Sequence, residues 1–243
     1  MLIVAHRGAS GTAPENTLAS FRQALDIGVD ALEMDVHLSR DGEVVVIHDD
    51  TVDRTTDGAG NVGDLTLSQL KELDAGSKFG PAFAGERIPT LQEVMDLAQG
   101  KIMMEIELKT TSPWPTQLER KVAEMVARNG LTDKVIIQSF NPLALFYLKR
   151  INSAISRALL YHDGLPLPLR QRWLAPLARP QVMHPSASMA TPEHVRKMQQ
   201  RGHPVIVWTV DDPAEMALMI DRKVDGIMTN RPDVLKEVVN SRS

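Results

Sequence analysis

The sequence predicts a (β/α)8 TIM barrel, and three observations carry that prediction. Eight short aliphatic runs alternate with longer amphipathic segments from end to end, the pattern of repeated βα units around a parallel sheet. The chain has 243 residues, close to the roughly 250 that such a barrel uses. Polar residues close several of the runs, among them His6, Glu107 and Thr209, and the end of a strand is where this barrel keeps its chemistry. One domain over residues 1–243 is expected.

In chain order, the expected strands are Leu2 to Ala5, Ala31 to Val36, Lys101 to Leu108, Val135 to Ser139, Arg157 to Tyr161, Gln181 to His184, Pro204 to Val210 and Gly226 to Thr229. The helices between them read as Glu15 to Ile27, Leu91 to Ala98, Gln117 to Asn129, Pro142 to Arg150, Pro192 to Gln200, Pro213 to Asp221 and Pro232 to Val239. The last three and Pro142 to Arg150 open on proline, which a first helical turn tolerates because its missing N–H has no partner there anyway.

The alternation breaks after Val36. His37 to Glu43 leaves no room for a helix before Val44 to His48, and Asp41-Gly42 is a two-residue hairpin signal because both residues tolerate positive φ. That turn sets Arg40 opposite Glu43 and Asp35 opposite His48, with Cβ atoms about 4.5–5.5 Å apart. Glu33, Asp35 and His37 share one face by the two-residue period, and His48 is expected to join it. Residues 51–89, rich in Gly, Asp and Thr, are too long for an idle turn. They read as a small insertion with a short helix near Leu65 to Leu73, capping the barrel mouth beside the hairpin. Between Gly164 and Pro185 the chain is basic and rich in proline, an irregular βα connection.

Composition excludes several function classes. Lys and Arg total 27 against 31 Asp and Glu, a net charge of -4, so no global positive field attracts nucleic acid. With no cysteine there is no disulfide, thiolate nucleophile or cysteine zinc site, and any metal must sit on oxygen or imidazole. The stretch from Met1 meets a charged pair at His6 and Arg7, too early for the apolar core of a signal peptide, and no run reaches the length of a membrane span. A cytoplasmic location is expected, and membrane contact is not.

Chemistry concentrates at the strand ends. His6-Arg7 closes an apolar strand, where arginine is rarely buried without a partner, and its planar fork of donors suits phosphate. Glu33 and Asp35 lie on one strand face; Glu105 and Glu107 repeat the arrangement with Lys109 added. Carboxylates that face one another in a dry barrel repel unless a cation or protons neutralise them. A divalent cation answers that need, and Mg²⁺, Mn²⁺ or Ca²⁺ suits an oxygen-rich site better than Zn²⁺. A structural network of these acids with Arg7 and Lys109 is the bland alternative. Trp208 has two readings, a wall of the substrate site or a filler of the barrel. His184 reads as lining the mouth or as a hydrogen-bonded structural residue.

His6-Arg7-Gly8, Pro14 to Thr17, Glu33-Met34-Asp35, Ser39 to Gly42, Ile47-His48-Asp49, Leu65-Thr66, Ile88 to Leu91, Ile106 to Lys109, Gln138-Ser139-Phe140 and Trp208 to Asp211 together resemble the bacterial glycerophosphodiester phosphodiesterases. The motifs stand in family order across nearly the whole chain. The resemblance implies a barrel of the phosphatidylinositol phospholipase C type and hydrolysis of a small-molecule glycerophosphodiester to sn-glycerol 3-phosphate and an alcohol; a monomer or homodimer is expected. It also implies that His6 and His48 are the acid and base, that Glu33, Asp35 and Glu107 hold the divalent cation, and that Arg7 and Lys109 contact the phosphate of the substrate. Glu105 departs from the pattern, which often has asparagine there; His37 stands where Lys or Gln is frequent. Two competing functions are a lysophospholipase D, which needs an apolar groove for an acyl chain, and a catalytically silent barrel that binds phosphate esters.

Overall fold

The computed structural model describes residues 1–242. Its strands are β1 (Leu2–Ala5), β2 (Ala31–Leu38), β3 (Val44–Val46), β4 (Met103–Leu108), β5 (Val135–Ser139), β6 (Ser156–Tyr161), β7 (Val182–Pro185), β8 (Ile206–Val207) and β9 (Gly226–Thr229). Its helices are α1 (Leu18–Ile27), α2 (Leu67–Glu72), α3 (Leu91–Ala98), α4 (Gln117–Arg128), α5 (Pro142–Ile151), α6 (Leu167–Arg170), α7 (Ala175–Ala178), α8 (Pro192–Gln199), α9 (Pro213–Asp221) and α10 (Pro232–Ser241). Strands pair in the parallel order β7, β6, β5, β4, β2, β1, β9, β8, with β3 antiparallel on β2. Parallel bridges Met183 to Val205 and Ser186 to Trp208 join β7 to β8 and complete the ring. The architecture is the (β/α)8 barrel that the alternation predicts, with the hairpin after its second strand.

Helix starts follow their caps. Thr90 and Glu93 form a reciprocal capping box at α3, Thr116 and Glu119 another at α4, and the Asp212 carboxylate accepts two backbone N–H bonds at α9. The first helix begins three residues later than Glu15, where the sequence pattern sets it, because Asn16 has φ 56° and Thr17 is the true cap. That left-handed residue leaves Glu15 and Asn16 in a turn facing the barrel mouth rather than in a helix.

The hairpin register also differs from expectation. Val36 pairs with Val46, His37 with Val45 and Leu38 with Val44, one residue out of the predicted alignment. The loop holds three residues, not two: Gly42 N–H donates to Ser39 O at 2.9 Å, and Gly42 follows that turn at φ 82°. A turn closed by a left-handed glycine is the three-residue hairpin solution, and it moves every partner by one. Asp35 therefore lies opposite Ile47, whose N–H donates to Asp35 O at 3.0 Å. His48 falls beyond the strand, off the ladder.

Burial divides the interior into levels. Between sheet and helices lies the main core, from Phe21 and Leu32 through Leu91, Ile137 and Leu145 to Leu235. Inside the ring, Val4, Ala31, Ala158, Val182, Ile206 and Met228 form an apolar plug. Two residues beyond Ala31 and Val182, and beyond Met103 and Ile136 that pack against the plug, the inward positions carry Glu33, His184, Glu105 and Gln138, all buried. Residues 51–89 build a separate small core, in which Val52, Val62, Leu70, Ala75 and Ile88 pack on Val45 and Ile47 of the hairpin. No helix among the described residues is long and apolar enough to cross a membrane.

Candidate active site

The turn after β1 aims three groups at once. Arg7 has φ 55°, and Gly8 follows at φ 83°, where a Cβ would lie 2.4 Å from Ser20 Oγ. Only glycine fits that approach. In this turn the Arg7 N–H donates to Glu33 Oε2 at 3.0 Å, while its guanidinium meets Asp35 at 3.2 Å and Glu15 at 3.0 Å. Half-buried His6 donates from Nδ1 to Asn230 Oδ1 at 2.6 Å, because a carbonyl oxygen only accepts. Asn230 is itself held by Asp211, through its side-chain amide at 2.6 Å and its backbone N–H at 2.8 Å. His6 Nε2 is left free.

On β2 and β4 the parallel register sets Glu33 beside Glu105 and Asp35 beside Glu107. Oxygen atoms of Glu33, Asp35 and Glu107 lie within 4.8 Å of one another, and all three residues are buried. Lys109 leans back over the cluster, 3.0 Å from Glu107 and 3.4 Å from Asp35. Asn16 donates to Asp35 at 2.9 Å.

These contacts divide the three acids electrostatically. Burial works to raise Asp35, but Lys109 and Arg7 outweigh it and hold the carboxyl at about 2. Glu33 is pushed well up by burial and then by the charges of Asp35 and Glu107. Burial and Asp35 likewise push Glu107 up to about 7. The protein's own cations satisfy one carboxylate and leave the other two short of positive charge.

His48 reaches the cluster from the insertion side. Its Nδ1 lies 2.6 Å from Asp49 Oδ1, and Asp49 accepts from Arg54, which also grips Glu15 at 2.8 Å. Arg54 holds the Asp49 carboxyl far below the usual range. His37 faces His48 O at 3.1 Å and steadies that turn. His6 and His48 both lie close enough to Asp35 for their charges to act on it. His6 itself is lowered to about 4 by burial and by Arg7.

A cleft of about 480 Å³ opens beside Glu107 and Lys109, walled by Asp50, Thr111, Ser139 and Phe140. Half-buried Trp208 stands edge-on to Phe140, with ring centroids 5.3 Å apart, and donates to His184 O at 2.8 Å. Every singled-out residue thus lies at the C-terminal end of the barrel. Glu15, Asn16, Asp211 and Asn230 also belong to the site though no role for them is evident in the sequence; the first three lie within the motifs named above, whereas Asn230 stands beyond them, just after β9.

The fold and site define a barrel enzyme with two imidazoles and a carboxylate cluster open to a polar cleft. The sequence matches the model of the Glycerophosphoryl diester phosphodiesterase family over residues 6–234. The chain belongs to that family and is an enzyme of that class. It is 42% identical to a glycerophosphodiester phosphodiesterase of Caldanaerobacter subterraneus subsp. tengcongensis, covering 98% of this chain and 97% of that one. A crystal structure of a glycerophosphodiester phosphodiesterase from Agrobacterium tumefaciens superposes with TM-score 0.83 at 31% identity, covering 97% of this chain and 98% of that one. An Oleispira antarctica phosphodiesterase in complex with the product sn-glycerol-3-phosphate superposes with TM-score 0.86 at 30% identity, covering 99% and 97%.

Proposed function

We propose that this protein hydrolyses glycerophosphodiesters to sn-glycerol 3-phosphate and an alcohol, dependent on a divalent cation, with His6 and His48 moving the protons. The observation that carries this reading is the convergence of three buried carboxylates with two basic side chains and two imidazoles whose Nδ1 atoms are already engaged. Family membership and the product-bound Oleispira relative support the substrate class.

Glu33, Asp35 and Glu107 fit a hard cation. They offer only oxygen, they lie buried within 4.8 Å of one another, and Glu33 and Glu107 stand short of positive charge beside an already paired Asp35. Mg²⁺, Mn²⁺ and Ca²⁺ all suit that donor set. When bound, such an ion supplies positive charge against the phosphoryl oxygens as negative charge grows there. Arg7 and Lys109, beside the same carboxylates, bind the remaining phosphoryl oxygens. An oxygen nucleophile, either water or the glycerol hydroxyl, attacks phosphorus and the ester P–O bond to the alcohol breaks; one histidine takes the nucleophile's proton and the other protonates the departing oxygen, and where the glycerol hydroxyl attacks, water then opens the cyclic phosphate. The Asn230 and Asp49 contacts orient the two rings with Nε2 toward the reaction. Trp208 and Phe140 wall the alcohol or glycerol side.

The same reading takes residues 1–243 as one catalytic domain with 51–89 inserted in it, a cytoplasmic monomer or homodimer. The test is release of glycerol 3-phosphate from glycerophosphoethanolamine and glycerophosphocholine, with lysophosphatidylcholine in parallel, before and after EDTA. Release from the first two, lost to EDTA and restored by one cation, is expected. Release confined to the lysolipid, or none with any cation, contradicts the proposal.

A further inference from the structure

The two sides of the proposed machinery come from different parts of the chain. Arg7 stands on the turn after β1, whereas His48 lies where the hairpin passes into residues 51–89. One side chain, Arg54, spans them. Its Nε and Nη2 donate to Asp49 Oδ2 and Oδ1 at 2.7 and 3.0 Å, and its Nη1 and Nη2 donate to Glu15 Oε2 and Oε1 at 2.8 Å each. A carboxylate thus clamps each of two edges of the guanidinium.

Each of those carboxylates has a second partner. Asp49 Oδ1 takes the His48 Nδ1 hydrogen at 2.6 Å, since a carboxylate only accepts. Glu15 Oε1 accepts from Arg7 Nη1 at 3.0 Å, while Arg7 Nε meets Asp35 at 3.2 Å. A continuous line therefore runs through His48, Asp49, Arg54, Glu15 and Arg7, from an imidazole to a guanidinium placed for phosphate. Arg54 rides a fixed turn. The Thr56 N–H and hydroxyl both donate to Val52 O, at 3.0 and 2.8 Å, and Val52 and Thr56 are wholly buried.

Stability is a poor reason for this arrangement. The Arg54 side chain is 49% exposed, and ion pairs open to water contribute little to folding. What two planar, two-pronged contacts fix is geometry. Without Arg54, Asp49 swings together with the His48 ring, and Glu15 turns wholly to Arg7 and draws its guanidinium away from the phosphate.

We propose that Arg54 is a positioning residue that sets His48 and Arg7 against the same phosphate by holding the carboxylate behind each. This rests on the assignment of His48 and Arg7 to the reaction.

The experiment is single-turnover hydrolysis of saturating glycerophosphoethanolamine with Mn²⁺ on wild type, R54M, R54K, H48A, E15Q/D49N and E15Q/D49N/R54M, each checked for folding by circular dichroism. Misplacing reacting groups by about 1 Å costs about 100-fold, and R54M is expected to lose that much in rate. R54K keeps the charge but cannot span both carboxylates, so it is expected to fall with R54M rather than stay with wild type. In E15Q/D49N both links are already cut, and adding R54M is expected to change the rate by no more than about twofold. Wild-type rate in R54M, R54K or E15Q/D49N overturns the proposal. So does a loss from R54M as large on the E15Q/D49N background as on wild type, which would mean that Arg54 touches substrate itself or only holds the fold. Should R54M not fold, R54K takes its place on both backgrounds. Unchanged turnover in H48A overturns the assignment of His48 to the reaction, whereas a slow H48A beside an indifferent R54M overturns only the positioning role.

Discussion

Two levels of the barrel interior, one pleat apart, obey opposite rules. The lower level, Val4, Ala31, Ala158, Val182, Ile206 and Met228, is a plug that stabilises the ring by burial. The upper level, with Glu33, Glu105, Gln138 and His184, buries polar groups whose desolvation opposes folding. Sheet geometry makes the switch possible, because a step of two residues keeps a side chain inward while moving it toward the mouth. The comparison separates stability from activity by height in the barrel, and substitutions at the two levels are expected to divide accordingly.

The largest effect is expected from Glu33→Gln. Turnover falls by about a thousandfold or more, since the charge stabilisation that the bound ion supplies is lost with it. Without a cation, the same variant melts at or above wild type, because repulsion of Glu33 by Asp35 and Glu107 is relieved. A large loss of apo stability in E33Q would put Glu33 among the packing residues and break the comparison. Next come His6→Ala and His48→Ala, each expected to lower kcat by about 10²- to 10⁴-fold with Mn²⁺ affinity retained, measured by single-turnover kinetics beside calorimetry.

In the plug the order reverses. Ile206 is 2% exposed, and Ile206→Ala is expected to cost about 2–5 kcal/mol in urea unfolding while the folded fraction keeps its turnover. The smallest effect is a pH dependence. His184 is lowered to about 3 by burial alone. Its neutral form is the one the fold accepts, so the stability it permits is complete above its unfolded pKa near 6.5 and is lost as pH falls toward 3. Urea unfolding at pH 7 and pH 5 is expected to show wild type losing about 2 kcal/mol more than His184→Phe. Equal losses would mean that His184 takes up its proton without strain, and the upper level would be less dry than its burial indicates.

Much of this was legible in the sequence. The alternation of runs disclosed the barrel, because each aliphatic segment of a parallel sheet is buried on both faces. Glu33 and Asp35, like Glu107 and Lys109, revealed their shared faces through the two-residue period alone. The hairpin stands one residue from its expected register because Asp41-Gly42 signals a two-residue turn, while the choice of a three-residue loop rests on the Ser39 contacts. Ser39 Oγ accepts the Glu43 N–H at 2.9 Å and donates to Asp41 at 2.7 Å. The helical periodicity runs through Glu15 and Asn16; asparagine enters the left-handed region more readily than most residues, but nothing in the local pattern shows that it does so here. The pairs His6 with Asn230 and His184 with Gln138 are separated by 224 and 46 residues. Such pairs depend on how strands close into a ring, which no local pattern encodes.

The most direct test of the central claim, that Glu33 forms a cation site with Asp35 and Glu107 above it, is thermal melting with and without Mn²⁺ in wild type and E33Q. An ion that binds only the native state at 100 times its dissociation constant adds about 2.7 kcal/mol. A Tm that rises with Mn²⁺ in wild type and stays fixed in E33Q is the predicted result. A wild-type Tm indifferent to Mn²⁺, Mg²⁺ and Ca²⁺, or an equal rise in E33Q, would contradict the account.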